Sequence, residues 1–175
     1  MRLCIALMLL ASGSGAFPVQ ADPLTPVYTS IQNCTPLQSL ALPGRVITRT
    51  DATAASRCRG VAGYDLAVVE EDPRSWLAVL AGGRAYPLSV PMVQTFTLGH
   101  FPGITETKLV EWRVNAAGAP HAFIVRVHYQ APDAPANAAS AQRSTLMVFD
   151  LRALPPRLLG MSPNNDTARR MADGE

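Results

Sequence analysis

Four polar residues in two neighbouring segments of the chain have the chemistry of a recognition surface. One segment carries Glu111 and Arg113, separated by a single residue. The other carries Arg126 and His128 at the same spacing. Residues two apart on a strand project to one face of a sheet, so the four side chains would form one polar strip. Such a strip either binds an anionic or sugar-like partner or forms cross-strand ion pairs, each worth well under about 1 kcal/mol.

The other residue types with catalytic potential form no recognised motif. His121 and His128 are seven residues apart and therefore face opposite sides of a regular strand. The acidic run 70–72 would supply paired carboxylates or a cation site, or it forms a solvated turn. Spacings typical of a serine nucleophile elbow, a phosphate loop, a zinc protease or a calcium loop do not occur after residue 21. The sequence therefore assigns no catalytic residue, metal ligand or cofactor.

Short segments rich in β-branched and aromatic residues, separated by turn formers, predict a mainly β fold. The predicted strands are 46–48, 64–69, 76–80, 84–88, 95–98, 108–114, 122–129, 144–150 and 158–161. We expect an antiparallel meander that closes as a small barrel or a sandwich. Residues 131–143, rich in Ala, Pro, Asn and Ser, are expected to form an exposed loop.

The segments that carry the polar strip form the clearest predicted hairpin. A register with Val114 opposite His121 puts Trp112 opposite Phe123 and gathers the apolar side chains on one face. It also leaves the polar strip on the opposite, wetter face. We therefore expect Trp112 to be a core residue.

The first 21 residues have the organisation of a cleaved signal peptide. Arg2 precedes an apolar run at 3–11, and Val19-Gln20-Ala21 has the small-x-small pattern of a cleavage site. The run is far shorter than the roughly 20 residues that span a bilayer. We therefore predict cleavage after Ala21 and a periplasmic or secreted protein with no transmembrane segment in the mature chain.

Removing that leader takes Arg2 from the formal charge of +2, which leaves +1. A charge this small gives no electrostatic footprint for nucleic acid.

The mature chain would then hold two cysteines, Cys34 and Cys58. In an exported domain such a pair most often forms one disulfide. Neither cysteine has a histidine or a second cysteine at zinc-ligand spacing. We predict the disulfide, an irregular lead-in at 22–33 and a single β-rich domain at 34–175, with a short C-terminal helix beginning near 165–167 that docks through Ala168 or Met171.

Several stretches resemble an uncharacterised family of exported proteobacterial proteins with no assigned activity. They are 57–64 (Arg-Cys-Arg-Gly-Val-Ala-Gly-Tyr), the acidic turn that ends at Arg74, 110–113 (Val-Glu-Trp-Arg) and 165–173 (Asn-Asp-Thr-Ala-Arg-Arg-Met-Ala-Asp). The resemblance extends from about residue 28 to residue 173. It implies export and names no site. Members of that family usually carry a further cysteine near the last strands, which this chain lacks.

A second resemblance covers only residues 58–88, which are similar to periplasmic inhibitors of C-type lysozyme. A cysteine, a strand, a charged turn, a second strand and the segment Gly-Gly-Arg-Ala-Tyr-Pro-Leu follow one another in that order. The serine-containing inhibitory loop of those proteins is not evident between 89 and 103.

These observations favour a non-catalytic domain that binds an envelope protein or a cell-wall component. A lysozyme inhibitor is the alternative. A third hypothesis is an enzyme of unrecognised type, in which His100, the acidic turn or His128 would meet in one cleft.

Overall fold

The structure is a computed structural model that describes residues 23–71, 74–94, 99–104, 106–133 and 142–175. The predicted signal peptide and the predicted strand 95–98 lie outside the described residues, as does most of the predicted loop 131–143.

The described elements are, in chain order, β1 (Thr25–Ser30), β2 (Thr35–Leu37), β3 (Ser39–Leu42), β4 (Arg45–Thr48), β5 (Thr53–Val61), β6 (Tyr64–Glu71), β7 (Arg74–Ala81), β8 (Arg84–Pro87), a π-helical turn (Val90–Gln94), β9 (His100–Gly103), β10 (Leu109–Val114), β11 (Pro120–Gln130), β12 (Gln142–Asp150), β13 (Arg157–Ser162) and helix α1 (Asn165–Asp173).

The strands form antiparallel sheets, which confirms the predicted mainly β fold. The first sheet has the order β1-β10-β11-β12-β13, and β9 pairs with the far half of β11. The second sheet has the order β2-β5-β6-β7-β8, and β3 and β4 form a separate hairpin. Among the described strands, no sheet closes into a barrel. Every predicted strand within the described residues is present, with ends that differ by one or two residues.

The two large sheets share one buried apolar cluster. Trp112 pairs with Phe123 across β10 and β11, as predicted, and their ring centroids are 5.6 Å apart. Phe123 in turn stacks on Phe149 of β12 at 5.0 Å. The same cluster includes Trp76 of the second sheet. The predicted register is wrong at the end of the hairpin, because a bulge pairs Val114 with Pro120.

The segment predicted as an irregular lead-in, 22–33, contains strand β1. This prediction relied on the prolines of the segment, but β1 is an edge strand, and one unpaired side lets such a strand accommodate Pro26. All six of its residues pair with β10. The Nε1 atom of Trp112 also donates a hydrogen bond to Thr29 Oγ1 at 2.8 Å, so β1 contributes a polar partner to this core residue.

Cys34 and Cys58 form the predicted disulfide, with their Cα atoms 4.7 Å apart. Cys34 directly precedes β2, and Thr35 at the start of that strand pairs with Arg57 of β5. The bond therefore holds a three-residue edge strand in place. In the chain-entropy account, closing this loop stabilises the fold by about 3 kcal/mol.

Helix α1 begins at Asn165, within the predicted start at 165–167, and its capping residue is Asn164, one residue earlier. The side chain of Asn164 accepts hydrogen bonds from the backbone N–H groups of Asp166 and Thr167, at 2.8 and 3.2 Å. Gly174 ends the helix in the left-handed conformation, with φ 87°. Ala168 is fully buried against the first sheet, and Met171 is partly buried beside it, as predicted for a docked helix.

Gly60 lies in a bulge of β5 where the backbone approaches both a neighbouring strand and the core. A Cβ atom there would stand 2.1 Å from the carbonyl oxygen of Tyr64 and 2.9 Å from Trp112. We expect Gly60→Ala to lower the free energy of unfolding by about 2–3 kcal/mol, because strand and core must both move. Gly83→Ala is the control, because the new Cβ would have open space around it and only the φ of +72° disfavours the substitution. We expect this variant to lower the free energy of unfolding by about 1 kcal/mol. Equal losses in urea denaturation would contradict the close approach at Gly60.

Asp150 gives the stability a predictable dependence on pH. Its carboxylate accepts hydrogen bonds from Arg152 Nε and Nη2, both at 2.9 Å. Chiefly through these bonds, Arg152 lowers the pKa of Asp150 to about 2. An unfolded aspartate has a pKa of about 3.9, so the stabilisation is complete above about pH 4 and is lost as the pH falls through about 2.

We expect Asp150→Asn to lower the free energy of unfolding at neutral pH by about 1–2 kcal/mol, after allowance for the exposure of Arg152. The difference from the wild type should shrink below about pH 4 and disappear near pH 2. Urea denaturation across this range, with the exposed Asp51→Asn as a control, measures it. A loss of unfolding free energy in Asp150→Asn that does not change with pH would contradict the lowered pKa of Asp150.

Candidate functional site

The four residues of the predicted polar strip lie on the outer face of the first sheet, opposite the aromatic core. Helix α1 covers part of this face, over Ala122, Ile124 and the neighbouring strand β12. The helix therefore divides the strip. Glu111 and Arg113 are engaged by α1, whereas Arg126 and His128 lie at and beyond its N-terminal end.

Arg113 is buried and holds the end of the helix. Its Nε and Nη2 atoms donate to the two carboxylate oxygens of Asp173 at 2.8 and 2.7 Å. The Nη2 atom also donates to the carbonyl oxygen of Leu24 at 2.9 Å. The hydrogen bonds to Asp173 raise the pKa of the Arg113 guanidinium. With 7% of its surface exposed, Arg113 positions the helix and offers no surface to a partner.

Glu111 makes the complementary pair one turn earlier in the helix. It accepts hydrogen bonds from Arg169 Nε at 2.8 Å and Nη2 at 2.9 Å. The hydroxyl of Tyr28 donates to the same carboxylate at 3.0 Å. The bonds to Glu111 raise the pKa of Arg169. The charges of Glu111 and Arg113 are therefore both balanced within the protein.

Arg126 differs from these residues because its hydrogen-bond partners are neutral. Its Nη1 atom donates to Ser144 Oγ at 3.0 Å, and Nη2 donates to Asn165 Oδ1 at 3.5 Å. A guanidinium has five N–H groups, so three have no acceptor among the described residues. None of the described carboxylates forms an ion pair with it. Arg126 thus brings an unbalanced positive charge to the outer face.

His128 lies further along the same strand and has its own partner. Its Nδ1 atom is 3.4 Å from Glu106 Oε2. The other oxygen of Glu106 accepts a hydrogen bond from Gln142 Nε2 at 2.9 Å. His128 therefore belongs to a polar cluster with Glu106 and Gln142, which lies further along the face than Arg126.

A groove of about 280 Å³ runs between Arg126 and the first turn of α1. Polar and apolar side chains both line it. The polar lining residues are Tyr28, Glu111, Arg126, Asn165 and Arg169, and the apolar ones are Leu109, Ile124 and Leu146. The groove thus joins one unbalanced cation to an apolar surface, which is the composition of a binding site for a small amphipathic group.

Three larger clefts lie elsewhere among the described residues. One of about 360 Å³, between β3 and the start of β8, has Arg57 and Arg84 in its lining. Two of about 500 and 520 Å³ flank the segment 32–34 beside the disulfide, with Glu70 at the first and Arg57 and Arg59 at the second. Arg57 is paired with Asp65 through an Nε–Oδ2 bond of 2.7 Å. Each of these linings has one or two charged side chains, whereas the groove has three.

The residues of the enzyme hypothesis are distributed over both large sheets. Glu71 of the acidic turn accepts hydrogen bonds from Arg45 Nη1 at 2.9 Å and Trp76 Nε1 at 2.8 Å, which gives it a structural role in the second sheet. His100 is exposed on β9 of the first sheet, which pairs with β11, the strand of His128. Asp72 lies outside the described residues. Within the described ranges, no three His, Cys, Asp or Glu side chains group closely enough to hold a metal ion.

Sequence analysis missed three polar residues that line the groove, Tyr28, Asn165 and Arg169, and also Asp173, which holds the helix through Arg113. A signal for two of them was present. Arg169 and Asp173 are four residues apart in a predicted helix and therefore share a face. Tyr28 was placed in the irregular lead-in, which hid its approach to Glu111.

Comparison with models of protein families, with curated proteins and with solved structures finds no match. In the part of the chain that the structure describes, no helix is long and apolar enough to cross a membrane. The functional interpretation therefore depends on the geometry of the groove.

The buried pair between Arg113 and Asp173 predicts how α1 is held. Arg113→Lys keeps the charge but loses the two-pronged contact with Asp173 and the bond to Leu24. We expect the free energy of unfolding in urea to fall by about 1–2 kcal/mol. Arg170→Lys on the same helix is the control, since Arg170 is exposed and donates to Thr167 within the same helix. Equal effects of the two substitutions would show that the pair does not hold the helix.

Proposed function

We propose that this chain is an exported, non-catalytic domain that binds an anionic component of the bacterial cell envelope in the groove beside Arg126. The observation that carries the proposal is the state of Arg126, a partly buried guanidinium with three N–H groups unsatisfied by the described residues. An anionic ligand would supply the carboxylate or phosphate oxygens that these groups lack.

The charges that line the groove support an anionic ligand. Glu111 offsets one of the two guanidiniums, Arg126 and Arg169, so the lining residues carry a formal charge of +1. Arg169 is already held by Glu111 through two hydrogen bonds. The remaining charge is therefore located on Arg126, at one end of the groove, which would orient a ligand as well as attract it.

The disulfide and the predicted leader support an extracytoplasmic location. Disulfides persist in oxidising compartments such as the periplasm, and Cys34 and Cys58 form one here. In this proposal the chain is a member of the uncharacterised family of exported proteobacterial proteins that it resembles. Its two large sheets act as a sandwich, a rigid platform on which α1 builds the groove.

The test is an affinity pull-down of tagged protein from a cross-linked bacterial envelope extract. We expect a component that the wild type enriches to be lost from Arg126→Gln by about tenfold or more, which corresponds to about 1.4 kcal/mol. Arg84→Gln is the matched control: it removes the same charge from the exposed start of β8 in the second sheet, beside a different cleft of about 360 Å³, and should keep the component.

A component enriched equally by all three proteins would show that the groove is not the binding site. Enrichment of none by the wild type would overturn the proposed binding function itself. Matching urea midpoints for the three proteins are required, so that a loss of binding does not reflect a loss of folding.

A further inference from the structure

The size of the groove limits what it can hold. At about 280 Å³ it lies at the lower limit of the roughly 300–1,000 Å³ typical of sites that enclose a whole small molecule. It is also open to solvent along the outer face of the sheet. It therefore suits the end of a chain, with the remainder of the ligand outside.

The polar end of the groove favours a single carboxylate. The N–H groups of Arg126 that lack described acceptors belong to a planar fork that matches the two oxygens of a carboxylate. The lining charge of +1 balances one carboxylate, whereas a terminal phosphate carries about −1.5 to −2. Asn165, which already accepts from Arg126, lies beside the same position.

An exposed leucine lies next to the position of that carboxylate. Leu109 lines the groove and has 55% of its surface exposed, although it is a large apolar side chain. Ile124 and Leu146 line the groove too, but they are only 4% and 6% exposed because α1 already covers them. The carboxylate of a sugar acid is surrounded by hydroxyl groups and would leave Leu109 uncovered. A peptide terminus instead joins a carboxylate to a side chain through one carbon atom.

From this geometry we infer that the groove binds the free C-terminal carboxylate of a peptide whose last side chain is apolar. Arg126 takes the carboxylate, and Leu109 takes the last side chain, with Ile124 and Leu146 adding the little surface that they expose. This inference rests on the proposed function, since it specifies the anionic component and uses the same groove. It follows a general mode of recognition in which a protein captures a chain terminus and reads the adjacent side chain.

The experiment is fluorescence anisotropy with two labelled peptides that both end in Ala-Leu, one with a free carboxylate and one with a carboxamide. We expect the carboxylate form to bind the wild-type protein about tenfold more tightly or better. Arg126→Gln should bind both forms equally weakly. Arg126→Lys should recover part of the preference, because it restores charge without the fork. Arg84→Gln should behave as the wild type.

The apolar contact is tested separately with Leu109→Ser, whose exposed position makes it a mild change to the fold. We expect this variant to weaken binding of the peptide that ends in Leu by several-fold and to leave one that ends in Gly unchanged. Equal losses for both peptides would overturn the role of Leu109.

Two outcomes separate this inference from the function on which it rests. If the pull-down depends on Arg126 but neither peptide binds, or if an oligomer of a sugar acid binds instead, the peptide terminus is wrong and the anion-binding function stands. If neither the pull-down nor the peptides depend on Arg126, both fall.

Discussion

The outer face of the first sheet depends on two neighbouring ion pairs that hold α1 against β10. Glu111 and Arg113 are two residues apart on a strand, a distance of about 6.6 Å. Their partners Arg169 and Asp173 are four residues apart on a helix, a rise of about 6.0 Å. Because these spacings agree, both pairs form at once, with nitrogen–oxygen distances of 2.7–2.9 Å. If the helix ran in the opposite direction, like charges would face each other at both positions, so the charges also favour the observed direction.

The apolar contacts beneath the helix explain why the ion pairs are needed. A nine-residue helix is too short to be stable alone in water. The buried surfaces it contributes are mainly the small side chains Ala168 and Ala172. These let the helix approach the sheet closely, and Gly160 of β13 lies under Met171. Small contacts bury little area, so the two ion pairs supply the orientation that the apolar surface leaves undefined.

The fold was predictable from the sequence where burial was one-sided. The alternation in β10 and β11 predicts the facing pair Trp112 and Phe123, and the helix is marked by the polar residues at its start and by Ala168 and Met171. The unpredicted strands are β1, β2, β3, β5 and β9, all of which contain Pro, Ser, Arg or Gly. Strands β1 and β9 pair with β10 and β11, far along the chain, which no local pattern records, whereas β5 forms a hairpin with β6.

The candidate site was predictable in its location but not in its chemistry. The sequence placed Glu111, Arg113, Arg126 and His128 on one face, and the structure has them there. Which of these charges is balanced depends on how far α1 extends over the outer face of the sheet. The helix begins after Asn164 and packs on Ala122 and Ile124, and Asn165 at its first position contacts Arg126. The change from apolar to basic side chains along β11 therefore coincides with the N-terminal end of the helix. The two ion pairs that fix α1 involve Glu111 and Asp173, so Arg126 is the cation of the groove that no described carboxylate balances.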